Sequence, residues 1–190
     1  MIFNRMLRSA WLLAGVLVLA GCAKGENGAG AGATPPPVPP KIAKGADAKG
    51  VETWFPLTVG GKVLRVQLAV LDAEQQRGLM GRKDLGPDDG MVFVYPAPQQ
   101  MSFWMRNTPT PLDIGFFRED GTLGEVYPLY PYDETPVRSV GADYTLALET
   151  NQGWFAKHGL KPGVKVELAQ LADALRARGF RPERYSVRVQ

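Results

Sequence analysis

The chain has little of the side-chain chemistry from which most enzyme centres are built. Its 190 residues include one cysteine, Cys22, and one histidine, His158. One of each excludes an internal disulfide, a His-pair zinc site and any repeated metal-ligand spacing. His158 follows Lys157 and precedes Gly159, an order that reads as helix termination and not as part of a Ser–His–Asp arrangement. Phosphate-cradling glycine loops are missing too, because Gly60-Gly61 and Gly121 are single turns. Asp88-Asp89 lacks further carboxylates at cation-loop spacing. No metal and no cofactor are therefore expected. Internal repeats are absent, and the longest apolar run, Trp11 to Leu19, is short for a membrane span.

Excess charge is also scarce. The net charge is +3, but Arg5 and Arg8 sit in a leading stretch without acids. Residues 23–190 carry 20 basic against 19 acidic side chains, and residues 56–168 carry 11 against 14. The last 22 residues hold five arginines against Asp173 and Glu183. A mildly acidic domain with a basic tail lacks a nucleic-acid footprint, so no nucleic-acid partner is expected.

What is present at the N-terminus is an export pattern. A basic pair precedes the apolar run, and Leu19-Ala20-Gly21-Cys22 follows. This resembles the lipobox of bacterial lipoproteins. The resemblance implies that residues 1–22 are a lipoprotein signal segment cleaved before Cys22, and that Cys22 is lipidated, giving a membrane partner through the N-terminal lipid. Ala23 stands where an Asp is the usual inner-membrane retention signal, which favours the outer membrane, facing the periplasm. With Cys22 acylated the mature domain has no thiol, and its stability rests on its core. Residues 23–54 form a tether rich in Gly, Ala and Pro, with Pro35-Pro36-Pro37 and Pro39-Pro40.

A folded domain is expected over 55–168. Leu64, Val66, Leu68 and Val70 alternate with Arg65, Gln67 and Ala69, predicting a strand with one wet face, joined to Phe55–Val59 through Gly60-Gly61. Asp72 is expected to cap a helix over 73–80 that ends at Gly81. Strands are expected at 91–95 (ended by Pro96-Ala97-Pro98), 101–105, 112–117, 122–127, 144–149 and 164–168, with a short helix at 152–158. The fold class is mostly β (α+β): a small twisted, barrel-like antiparallel sheet closed on itself, two short peripheral helices and a C-terminal helix. The basic extension 169–190 combines that last helix, from Leu168, Leu171, Ala172 and Leu175, with a strand alternating at Tyr185, Val187 and Val189.

Several motifs occur in order: Arg77-Gly78-Leu79-Met80 with Arg82, Gly90-Met91-Val92-Phe93, Phe103-Trp104-Met105-Arg106-Asn107-Thr108 with Pro111-Leu112-Asp113, and Leu148-Glu149 with Gly153. Together they resemble the domain-of-unknown-function 192 family over about 55–168. The resemblance implies a small β-rich domain, often exported, and supplies no reaction. Arg106 stands where the family usually has lysine, and Val164 where an acid is common.

The densest chemistry lies between Phe103 and Asp113. A two-residue period puts Met101, Phe103 and Met105 on one face and Ser102, Trp104 and Arg106 on the other. Two readings stand for the second face. Trp104 is exposed and stacks a ligand beside Arg106, Asn107, Thr108 and Asp113, or it is packed under a helix while Arg106 pairs with an acid. Arg77 and Asp113 are paired either as a structural pin or as the floor of a cleft. Asp113 and Glu149, the acids inside expected strands, are the candidates for catalysis. The favoured role is non-catalytic: capture of an envelope glycan, other ligand or protein partner at a cleft around Trp104–Asp113, with Arg77, Arg82 and Glu149 near it. The alternatives are an envelope glycan hydrolase using Asp113 and Glu149, and an interaction protein acting through its basic tail.

Overall fold

The computed structural model describes residues 48–185 and Val187. The export segment, Cys22 and most of the tether lie outside the described residues. Hydrophobic alternation builds most of the sheet: β1 (Phe55–Val59), β2 (Lys62–Ala69), β3 (Asp89–Gln99), β5 (Leu112–Arg118), β6 (Leu123–Leu129) and β8 (Tyr144–Asn151). Gly60 and Gly61 both have positive φ and make the β1–β2 turn. A separate two-stranded ribbon pairs β4 (Ser102–Phe103) with β7 (Val137–Arg138).

The order in the main sheet is β1-β2-β3-β8-β5-β6. It is a mostly-β α+β fold, and the sheet does not close into a barrel. Nor is it wholly antiparallel, because β2 and β3 run parallel. A parallel neighbour requires a crossover, and residues 70–88 supply one that contains helix α1 (Asp72–Arg77). The expected strand at 164–168 reduces to bridges from Val166 to Val59 and from Lys165 to Thr122. Those bridges reach both open edges without closing the sheet between them.

Strand alternation sorts the interior into two clusters, one on each face. One face carries Leu64, Val66, Leu68, Val92, Leu146, Leu148 and Phe117, and is covered by helices α2 (Trp154–Lys157) and α3 (Leu168–Ala177). The other carries Met91, Phe93, Ile114, Phe116 and Ala147, and is covered by Leu79, Met101, Phe103 and Met105. The predicted alternation at 101–106 is present in the burial pattern, although only Ser102 and Phe103 are paired as strand. β3 continues through Pro96 and Pro98, accommodated by a register shift between Val94 and Gln99.

Helix α1 starts and stops earlier than its sequence signals suggest. Leu71 is the N-cap, and the Glu74 carboxylate accepts from the Val70 and Leu71 backbone N–H groups. Gly78, at φ 45°, ends it. The C-terminal extension is no loose tail. Leu171, Ala172, Leu175 and Phe180 are buried in the first cluster. Pro182–Tyr185 forms a 3-10 turn that takes in Tyr185, the first residue of the expected strand, and apart from Val187 the rest of that strand lies outside the described residues. Arg178 is also buried: it donates to the carbonyls of Lys49 and Leu68 and pairs with Glu74.

Candidate functional site

Antiparallel partners share a face, so register decides which side chains meet. Asp113 lies opposite Thr150, and Ile114 opposite Glu149. Asp113 and Glu149 therefore point to opposite faces. The Asp113 carboxylate accepts from the Gly153 N–H at 2.8 Å, where the chain enters α2. Burial pushes its pKa up and that bond opposes the rise. Asp113 is a helix anchor beside the first cluster, not the partner of Arg77 and not part of the bend. No glycosidic bond can lie between two carboxyl groups with the sheet separating them, so the paired-acid hydrolase is excluded.

Glu149 is on the face that carries the other candidates. Gln67, Met91 and Glu149 form one row across β2, β3 and β8. Gln67 and Met91 floor an open cleft of about 370 Å³, walled by Val51 and Glu52, by Ala73, Glu74 and Arg77 of α1, and by Gly78, Met80 and Arg82. Gln67, expected on a wet face, is buried: it donates to the Glu52 carbonyl and accepts from Arg82 Nη1 at 2.8 Å. Arg82 also binds Asp84 and lies 5.6 Å from the Trp54 ring centroid, with Arg65 at 5.3 Å from the same ring. Arg77 is exposed and makes no ion pair among the described residues. The cleft thus holds one braced and one unengaged guanidinium.

Glu149 is 4 % exposed, and burial alone drives its pKa up to about 8. Tyr95 on β3 is pushed up to about 12 by burial and then by the Glu149 charge. Glu125, on β6, is the opposite case. Burial pushes its carboxyl up, but the Gly141 N–H, the Tyr144 hydroxyl, the Val140 N–H and the Tyr127 hydroxyl pull it down to about 2. Four donors make Glu125 the clasp of the 139–141 loop, whereas Glu149 has no such structural employment.

The bend itself packs on the wall of the cleft. Gly81 N–H donates to the Asn107 carbonyl, and the Thr110 hydroxyl to the Arg82 carbonyl. Asn107 sits at φ 54° and Tyr132, on the facing loop, at φ 62°, both unusual for residues other than glycine. Tyr132 N–H donates to the Thr108 carbonyl, and Met105 N–H to that of Asp133, so the two loops form one framework. Thr108 is buried. Trp104 is 45 % exposed, with Arg106 at 5.6 Å from its ring centroid, and Tyr130 and Tyr132 are exposed on the facing loop. Of the two readings of Trp104, the buried one is wrong, and Arg106 has no acid partner among the described residues.

His158 belongs to the core's edge. It lies 4.7 Å from the Trp154 ring, Nδ1 is 2.9 Å from the Trp154 carbonyl, and Nε2 is 3.7 Å from Asp88. No group of three potential metal ligands occurs among the described residues.

The family model DUF192, described as an uncharacterised ACR, matches residues 55–168, more than half of the chain. The chain belongs to the DUF192 family. No curated protein matches its sequence. A solved Novosphingobium aromaticivorans protein of unknown function is 39% identical, with a TM-score of 0.59 over 69% of this chain and 99% of that one. A Sinorhizobium meliloti protein, provisionally described as a transcription regulator, is 29% identical, with a TM-score of 0.57 over 63% of this chain and 97% of that one. Within the DUF192 domain, sequence reasoning overlooked Gln67 and Met91 as cleft residues. Gln67 in an otherwise apolar run was the available signal. Trp54 lies just before the matched region and had none.

Proposed function

We propose that this DUF192 protein is an exported, lipid-anchored binding protein of the cell envelope, held at the outer membrane through Cys22 and facing the periplasm. Its ligand is an anionic envelope component taken into the α1 cleft. The observation that carries this reading is the pair of arginines on one cleft, with Arg77 lacking an ion-pair partner among the described residues. Arg82 is already oriented by Gln67 and Asp84, which lowers the ordering cost of gripping a carboxylate. The exposed Trp104, beside Arg106 and Asn107, supports a neighbouring stacking contact for the sugar part of a glycan-bearing ligand. A basic-tail scaffold is the less favoured reading, because Arg178 is buried and Arg176 is paired with Asp173.

Calorimetric titration with carboxylate-bearing peptidoglycan fragments tests the cleft. Arg77→Ala is expected to weaken binding by about tenfold, the scale of one charge-assisted contact. Unchanged affinity would move the site elsewhere. Membrane fractionation tests the anchor: Cys22→Ala is expected to release the protein from the membrane fraction, and retention there would refute lipidation.

A further inference from the structure

Residues 48–54, at the end of the expected tether, run along the domain and form part of the cleft wall through Val51 and Glu52. None of them is buried, so no apolar packing in the core holds the segment down. Polar ties and surface stacking hold it instead. Lys49 N–H donates to the Ala177 carbonyl at 3.0 Å, and the Lys49 carbonyl accepts from Arg178 Nε at 3.1 Å. The Glu52 carbonyl accepts from Gln67 Nε2 at 3.0 Å. The Trp54 ring lies against the guanidinium groups of Arg65 and Arg82. These ties lead back into the site. Gln67 is buried and its other amide atom, Oε1, accepts from Arg82 Nη1, so Glu52, Gln67 and Arg82 form one chain of hydrogen bonds. Arg178 in turn pairs with Glu74, which lines the cleft from α1.

We propose that residues 48–54 are a strap that closes the cleft, and that the docked strap and an anionic ligand hold each other in place. This rests on the reading of the cleft as an anion-binding site and names the element that regulates it. With the strap docked, the Glu52 carbonyl fixes the Gln67 amide, and the fixed amide orients the Arg82 guanidinium towards its anion. When the strap lifts, Gln67 loses that restraint, Val51 and Glu52 leave the wall, and Trp54 leaves the face of Arg82. A segment held by a few hydrogen bonds and surface stacks, with no buried side chain, opens at a lower cost than the sheet beneath it. The coupling runs both ways: whatever the docked strap adds to ligand affinity, the bound ligand adds to strap docking.

The test uses the full chain in detergent, with muramyl dipeptide, a carboxylate-bearing peptidoglycan fragment, as the probe. The Lys49 amide is bonded to Ala177 and exchanges its hydrogen when the strap lifts. Saturating dipeptide is expected to slow that exchange about tenfold. Lys49→Pro removes the donor without altering a residue that lines the cleft. The variant is expected to exchange faster at Thr53 and to bind the dipeptide about tenfold more weakly in isothermal titration, while the amides of β3 and β8 keep their parental rates. Lys49 exchange that is unchanged at saturation in the unaltered protein would overturn the strap and leave the anion-binding cleft standing. Parental affinity in a variant whose Thr53 exchange has risen would do the same. If the unaltered chain does not bind the dipeptide, the anion-binding reading falls, and the strap falls with it.

Discussion

Arg178→Met is expected to lower the stability of the domain by about 3–5 kcal/mol, the scale for removing one partner of a buried ion pair. Arg178 is 1 % exposed, and its guanidinium serves the Leu68 and Lys49 carbonyls as well as Glu74. Methionine fills much of the volume but leaves two carbonyls without that donor and Glu74 without its cation. Glu74 also holds the first turn of α1 and lines the cleft, so the damage should reach the site. Urea denaturation at neutral pH measures the stability change. The double variant Arg178→Met, Glu74→Gln should recover part of the loss, because it no longer strands a charge. A loss below about 1 kcal/mol would mean the pair is solvated and replaceable.

The second large effect is a pH dependence that belongs to Glu149. Its folded-state pKa, about 8, lies above its unfolded value near 4.5. The folded protein thus holds a proton that the unfolded chain releases. Stability is highest below about pH 4.5, as far as this residue is concerned, and falls as pH rises towards 8. At about 1.36 kcal/mol per unit, the loss reaches at most about 5 kcal/mol. Glu149→Gln keeps the shape and removes the titration. The variant is expected to match the parent near pH 4.5 and exceed it by several kcal/mol at pH 8. Comparing the two chains isolates Glu149 from Asp113, which contributes in the same direction. Glu125 acts in another window: with its pKa lowered to about 2, its stabilisation is lost as pH falls below 4.5. Parallel stability curves for parent and variant between pH 4.5 and 8 would show that Glu149 stays solvated.

Both effects concern residues whose environment comes from distant parts of the chain. Glu149 meets Met91 and Ile114 across strand pairs, and Arg178 meets Glu74 from 104 residues away. The cleft is similar: Val51, Gln67, Arg77 and Met91 come from a leading segment, two parallel strands and their crossover helix. The parallel pair itself had no distinct sequence mark, because a buried strand alternates in the same way whichever direction its neighbour runs.

Local patterns were decisive where the physics is local. The Gly60-Gly61 turn, the alternation of Leu64 to Leu68 and of Met101 to Arg106, and the end of α2 near Gly159 follow from the backbone freedom of glycine and the two-residue period of strands. The motifs from Arg77 to Gly153 were enough to point to the DUF192 family. The sequence by itself determined the mostly-β class and the family, and marked Arg77, Arg82 and Trp104 as candidates while leaving open whether Trp104 was exposed or packed; its exposure came from the structure. Only the tertiary structure decided that Asp113 and Glu149 face away from each other, because one residue of register turns a side chain to the other side of a sheet. It alone assembled Arg77, Arg82 and Gln67 on one cleft with Glu149 next in the row, because a surface drawn from several strands exists only once they are paired.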